Sequence, residues 1–412
     1  MKKELILLIF LLSFVCSEAQ VGGQLDNTWT WMATVQRKDG IQVPFRLERK
    51  EERGKTVLYV VNAKERIQIT NVETAGDSLF FAMPAFESSF RLKTLANGDM
   101  RGIYIKGTSG ATQYWPVHAY ANIEDDFTAK SNAKSNISGR WDVSITRANG
   151  SVRKAVGIFE QKGNKITGSF LTPSADYRYL DGIVTGDSLK LSGFDGDNIH
   201  LFEARIENDS IISSGVFYNG YSGQETWTAK KNNAVALPEV ADPTRLRPGE
   251  THLNFTFNDL NGKPVSINDE RFKNKVVVIQ LMGSWCANCL DETKFLAGYY
   301  NKHPKGVEII ALAYELTTDI SRSQKSVSKF QQLFHVQYPM LITGVAAGDD
   351  KKTEKTLPQL TPIRSFPTTV FIDKKGNVRE IHTNFYGPAS GEYFIESKNK
   401  FYKTVDRLLN ER

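Results

Sequence analysis

The sequence predicts two kinds of structure in series: an all-β N-terminal region followed by an α/β layer domain. Three observations carry this. Between about residues 25 and 230, short segments of alternating polarity such as Thr56–Val61 and Ile199–Arg205 are punctuated by Gly, Asn and Asp turns, with no long 3.6-residue apolar stripe. That region also repeats. Trp31 with Gly40 recurs as Trp141 with Gly150, Gly76-Asp-Ser-Leu79 as Gly186-Asp-Ser-Leu189, and Trp115 as Trp227, at offsets of 110 to 112. Beyond residue 250, continuous apolar runs alternate with helical stripes, which is the pattern of a sheet covered by helices.

The 412 residues suffice for two or three domains, and 40% hydrophobic with 24% charged residues is ordinary globular composition, so disorder and fibrous repeats are excluded. The net charge of +6 is spread, with basic runs no longer than two residues, which leaves no electrostatic footprint for nucleic acid. Residues 1–19 read as a cleaved secretory signal: Lys2 and Lys3, the apolar run Leu5–Val15, then Ser17 and Ala19 where a peptidase needs small residues. The protein is therefore expected to be periplasmic or otherwise extracytoplasmic. No run reaches the roughly 20 residues of a membrane span, so no transmembrane segment is expected. A rival reading lipidates Cys16; it is the weaker one, because Val15 is bulkier than the residue usual before a lipoprotein cysteine and Ser13 fits poorly.

Two β modules are expected over 20–125 and 138–230, each a small antiparallel barrel or sandwich, joined by a polar segment. Their tryptophans are expected to fill cores and barrel ends, with a ligand-stacking face as the sharper alternative. Residues 231–249 carry Pro238, Pro243 and Pro248 and read as a semi-rigid linker. From 250 to 412 the expected order is strand Asn254–Phe257, buried strand Lys275–Met282, a helix from Cys286 to Tyr300, and strand Val307–Tyr314. A helix over Ser321–His335 follows, with Val327, Phe330 and Phe334 on one side. Strands Met340–Thr343, Thr368–Ile372 and Val378–His382 come next, then a helix over Gly391–Asn410 that places Phe394, Phe401, Val405 and Leu408 on one face. The charged run Asp349–Lys355 is expected to be a solvated helix or loop.

The informative residues are Trp285-Cys286-Ala287-Asn288-Cys289, where the buried strand ends and a helix begins. A helix start aims unpaired N–H groups and its positive dipole end at the first cysteine and stabilises a thiolate. Such a cysteine is a nucleophile, and a second one three positions on can resolve its mixed disulfide. With Cys16 in the signal, Cys286 and Cys289 are the only thiols, too few for a disulfide framework. A zinc site would need two further ligands, and the six His show no metal-like spacing, so no metal is expected. A purely structural disulfide closing so short a loop would remove little chain entropy.

Strand, Trp-Cys-x-x-Cys, helix, and later Phe366-Pro367-Thr368-Thr369 leading into a strand resemble the TlpA/ResA-like thiol-disulfide oxidoreductases of the thioredoxin fold, over about 250–412. The resemblance implies that Pro367 is cis and faces the cysteines, and that the Phe366 backbone pairs with a substrate peptide. It also implies that Glu292 sits beside the disulfide, where a carboxylate would move the proton of Cys289; the competing reading makes Glu292 a surface helix residue beside Asp291. Two positions depart from thioredoxin itself: Gln280 replaces the acidic residue six before the first cysteine, and Ala287-Asn288 replaces Gly-Pro. Without an imidazole between the cysteines, extreme thiolate stabilisation is not expected, which tilts the reading towards a reductase.

The expected activity is thus protein disulfide reduction or exchange. Cys286 attacks, Cys289 resolves, Glu292 assists, Phe366 and Pro367 hold the substrate backbone, and Trp285 shields the pair. No bound cofactor is needed beyond the redox-active cysteine pair, since electrons come from a partner dithiol protein. The alternative is an envelope binding protein whose β modules recognise a ligand, with an auxiliary redox domain; a peroxidase is a third, weaker reading. The two Gly-Asp-Ser-Leu segments spell a lipase signature, and Asp197-x-x-His200 its partner pattern, but a hairpin turn is the cheaper account.

Overall fold

The structure, a computed structural model, describes residues 29–121 and 129–411. The expected signal segment and Cys16 lie outside the described residues, as do residues 122–128 of the polar joint between the β modules.

The first β unit is a nine-stranded antiparallel sheet built from successive hairpins, in which the first strand, Trp29–Gln36, also pairs with the last, Gln113–Ala121. The sheet is rolled and open only between Glu65–Ile69 and Val72–Ala75. The second unit closes. Gly139–Thr146 pairs with both Val152–Lys162 and the last strand, Gly223–Lys231, and Val152–Lys162 pairs in turn with Lys165–Thr172. This leaves a barrel with the two-residue strand Ala175–Asp176 as a side branch, and closure removes the exposed edges that such a sheet would otherwise present. Of the two architectures expected, barrel-like sheets are what forms.

The repeated tryptophans belong to the cores. Trp31, Trp115, Trp141 and Trp227 are buried, and the Trp141 indole donates to Ile137 O at 2.8 Å; only Trp29 in this region is exposed. The two cores touch. Phe194 of the second unit packs against Phe45 and Tyr104 of the first, at 4.7 and 5.3 Å between ring centres, and its backbone exchanges two hydrogen bonds with the Asn62 amide. The Gly-Asp pairs of the lipase-like segments form two-residue hairpin loops, between Ala75 and Ser78 and between Thr185 and Ser188. Gly76 and Gly186 both take positive φ there, 60° and 59°, which such loops demand. His200 is half-buried against Tyr177 and Phe217 in the strand register of Gly193 and Asn219, whereas Ser188 pairs with Arg205.

The C-terminal sheet has seven strands in the order Pro264–Ser266, Thr256–Asp259, Met340–Ile342, Val307–Ala313, Val276–Met282, Thr368–Ile372 and Val378–Thr383. The central three are parallel and the flanking ones antiparallel. Helices α1 (Ala287–Tyr300), α2 (Ile320–Phe334), α3 (Lys352–Thr356) and α4 (Glu392–Asn410) complete it. Alternation along Val276–Met282 explains the layers. Val276, Val278 and Met282 face Leu296, Val327, Phe330, Phe401 and Val405 of α1, α2 and α4, while Val277, Ile279 and Leu281 face Phe255, Leu357, Leu360 and Ile363.

That second layer corrects one expectation. The run Asp349–Lys355 is not simply solvated, because α3 buries Thr353 and Thr356: Thr353 Oγ1 accepts from Ile363 N at 2.8 Å, and Thr356 Oγ1 shares a 2.8 Å hydrogen bond with the Tyr314 hydroxyl. Its charges point outward and its threonines inward. The first strand begins at Thr256 rather than Asn254, since Leu253 and Phe255 are buried in the core before pairing starts, and the edge strand Pro264–Ser266 carried no apolar alternation to announce it. The proline-bearing segment docks at its far end, where Thr244 is buried and Leu246 bridges to Leu360.

Candidate active site

Strand Val276–Met282 delivers the chain to the turn Gly283–Trp285, and α1 starts at once with Cys286 as its N-cap. Cys286 Sγ accepts from Cys289 N at 3.2 Å, so the sulfur takes the place that a Ser or Asp oxygen fills at an ordinary helix start. A negative sulfur there is favoured by the free N–H groups and the dipole. Cys286 and Cys289 are disulfide-bonded, with Cα atoms 5.2 Å apart. Cys289 is fully buried, and Cys286 retains only 8% exposure, less open than a bare helix start suggests.

The peptide Phe366-Pro367 is cis, and the Phe366 carbonyl oxygen lies 3.4 Å from Cys286 Sγ. Trp285 donates its indole N–H to Tyr314 O at 2.9 Å and meets the Phe366 ring edge-on at 5.9 Å, while the Tyr314 ring backs Phe366 from 5.2 Å. Trp285 and Phe366 therefore gather around the outer sulfur, with Pro367 next in the chain.

Glu292 is buried, not a surface residue, and so is Asp291. The Glu292 carboxylate accepts from Gln280 Nε2 at 2.8 Å and from Thr369 Oγ1 at 2.5 Å. Burial pushes its pKa up to about 7, against the opposing pull of those two donors. Gln280 is thus the holder of the buried acid: its Nε2 also lies 3.5 Å from Cys289 O, and its Oε1 accepts from Thr293 Oγ1. One turn of helix places Glu292 on the Cys289 side of α1.

Sequence reasoning missed a second buried acid. Glu315 accepts from Ser284 N at 2.9 Å and Ser284 Oγ at 2.6 Å, two residues before Cys286, and burial raises its pKa to about 7 as well. The available signal was its place just after the strand Val307–Ala313, at the same end of the sheet as the cysteines. Also missed were residues of the β region that reach this helix. Asp176 Oδ2 accepts from Asn288 Nδ2 at 2.9 Å, and Arg178 Nη1 donates to Ala287 O at 3.2 Å and to Asp291. No sequence signal links residues so far apart in the chain. Among the described residues no cluster of His, Cys, Asp and Glu forms a metal-binding group.

A cysteine pair at a helix start, the cis Phe366–Pro367 peptide with its carbonyl beside the first sulfur and a buried acid behind it, on a central mixed sheet, define a thiol-disulfide oxidoreductase of the thioredoxin class. Residues 247–389 match the Redoxin family. The chain is 31% identical over 141 residues to a thiol-disulfide oxidoreductase ResA of Bacillus cereus, covering 34% of this chain and 72% of that protein. It is 29% identical over 140 residues to ResA of Bacillus subtilis (strain 168), covering 34% and 68%. A thiol:disulfide interchange protein of Chlorobium tepidum TLS superposes with a TM-score of 0.30 and 20% identity, over 41% of this chain and all of that one. The chain belongs to the ResA-like family of thiol-disulfide oxidoreductases. No described helix is long and apolar enough to cross a membrane.

Proposed function

We propose that this protein is an extracytoplasmic reductase of protein disulfides acting through Cys286-Ala287-Asn288-Cys289. The observation that carries the reading is the Cys286 sulfur capping α1 beside the Phe366–Pro367 peptide. The Cys286 thiolate attacks one sulfur of a substrate disulfide, forming a mixed disulfide and releasing a substrate thiolate that takes up a proton. Glu292, poised near neutrality, accepts the proton of Cys289. The Cys289 thiolate then attacks Cys286 Sγ and releases the second substrate thiol, so two electrons and two protons pass to the substrate. A partner dithiol protein returns the site to the reduced form, with no further bound cofactor. The Phe366 carbonyl, beside the sulfur, is placed to pair with a substrate backbone, Pro367 shapes that edge, and Trp285 covers the pair.

Residues 1–19 support export, and residues 20–125 and 138–230 fit two copies of one β module, with 231–249 tethering the redox domain at 250–412. Reduction of insulin by dithiothreitol tests the activity: the wild type accelerates it and Cys286→Ser does not. Equal rates would defeat the reading and favour the alternative in which the β modules bind a ligand.

A further inference from the structure

Of the dipeptide between the cysteines, Ala287 is half-buried and Asn288 is closed off from solvent. Asn288 is 6% exposed because the side branch of the barrel, Ala175–Asp176, and the residues after it lie against it. Asp176 is held from three directions: Oδ2 accepts from Asn288 Nδ2 at 2.9 Å and from Gly387 N at 2.6 Å, and Oδ1 accepts from Arg178 N at 2.8 Å. Burial raises its pKa from the ordinary aspartate value, while these donors and the Arg178 charge pull it down. All three partners are donors, and hydrogen bonds donated to a carboxyl favour its carboxylate form. Gly387 is fixed as glycine by the same junction, since a Cβ there would run into the Asp291 carboxylate. Arg178 sits at the centre, donating to Ala287 O, Asp291 and Glu65 and so linking both β units to α1.

We propose that Asp176 and Arg178, carried by the barrel and not by the redox domain, are positioning residues of the Cys286–Cys289 couple: the Asp176 carboxylate, fixed on the dipeptide between the cysteines, holds Cys286 less acidic than α1 alone would make it and keeps the couple reducing. The inference rests on the reductase reading and deepens it. The sign follows from charge. Around the first turn of α1, Arg178 is opposed by Asp176, Asp291 and Glu65, with Asp195 nearby and Lys294 the cation on the helix itself. Glu292 and Glu315 approach from the opposite sides, held by Gln280 and Thr369 and by Ser284. The surplus is negative. Negative charge at a helix N-terminus opposes a thiolate at the same place, and a less stable thiolate shifts the couple towards its disulfide, making the dithiol the better electron donor.

The test uses the full chain and two readouts, the thiolate absorbance of the reduced protein against pH and the equilibrium with glutathione. In that equilibrium the Cys286–Cys289 disulfide and two glutathione molecules give the dithiol and one glutathione disulfide. Asp176→Asn removes the charge while keeping the shape. It is expected to lower the Cys286 pKa by about one unit and shift the equilibrium about tenfold towards the dithiol, ~30 mV for a two-electron couple. Asp176→Ser, which keeps an oxygen acceptor in less space, should shift in the same direction if the asparagine variant folds poorly. Glu87→Gln loosens a different contact of the β region, from its first unit to Arg322 and Ser326 on α2, without touching the dipeptide, and should leave both readouts unchanged. No shift in either Asp176 variant, a shift of opposite sign, or an equal shift in Glu87→Gln would overturn the inference. A wild type whose disulfide never exchanges with glutathione would instead overturn the reductase reading.

Discussion

Glu292 carries the clearest consequence of burial on a single residue. Its carboxyl rises from 4.5 in an exposed chain to about 7, so between those values the folded protein binds a proton that the unfolded chain has released. Stability therefore falls as pH rises from about 4.5 to 7 and levels off above, by about 3 kcal/mol for a shift of that size. Glu315 adds a slope of the same sign. Urea unfolding across this range should show the decline, and Glu292→Gln should make it shallower. In the proposed mechanism the same carboxyl governs resolution, so stopped-flow decay of a mixed disulfide should accelerate through pH 7 in the wild type. In Glu292→Gln it should be slower by about 100-fold and lose that inflection. The family resemblance pointed to Glu292, and to Gln280 only as a departure. What it could not supply was their contact, because one lies on the strand and the other on the helix that follows.

At the level of elements, α1 and its preceding strand were legible because a seven-residue buried run, apolar but for Gln280 and followed by a cysteine pair, admits few alternatives. The amphipathic stripes of α2 and α4 set their faces equally well, Val327 and Phe330 in one and Phe401, Val405 and Leu408 in the other being buried. Helix α3 was obscured because its sequence is nearly all polar, and only the threonines face inward. Its contribution is to the site: Thr356 bonds the Tyr314 hydroxyl, and Tyr314 supports both Trp285 and Phe366. Thr356→Val strands a buried phenol and should cost about 1–3 kcal/mol in chemical unfolding. If unfolding is unchanged, α3 is peripheral.

For the molecule as a whole, the β region behaves as part of the redox domain's surroundings rather than as a detached module. Arg178, Arg140 and Glu87 each cross the junction, to Asp291, Tyr393 and Arg322 respectively. Composition and repeats revealed the β region but not this docking, since contacts between residues over a hundred positions apart leave no local pattern. Glu87→Ala leaves Ser326 without its Glu87 acceptor and Arg322 with only Thr108 O across a partly exposed contact, so the expected cost is modest, about 1 kcal/mol by thermal or urea unfolding. A loss of several kcal/mol would mean that this contact anchors the whole junction. The central claim, that Cys286 attacks and the buried Cys289 resolves, is tested most directly by trapping with a peptide disulfide and mapping the modified cysteine. Cys289→Ser should accumulate a mixed disulfide at Cys286 and Cys286→Ser should accumulate none; a stable adduct at Cys289 in the Cys286→Ser protein would contradict the account.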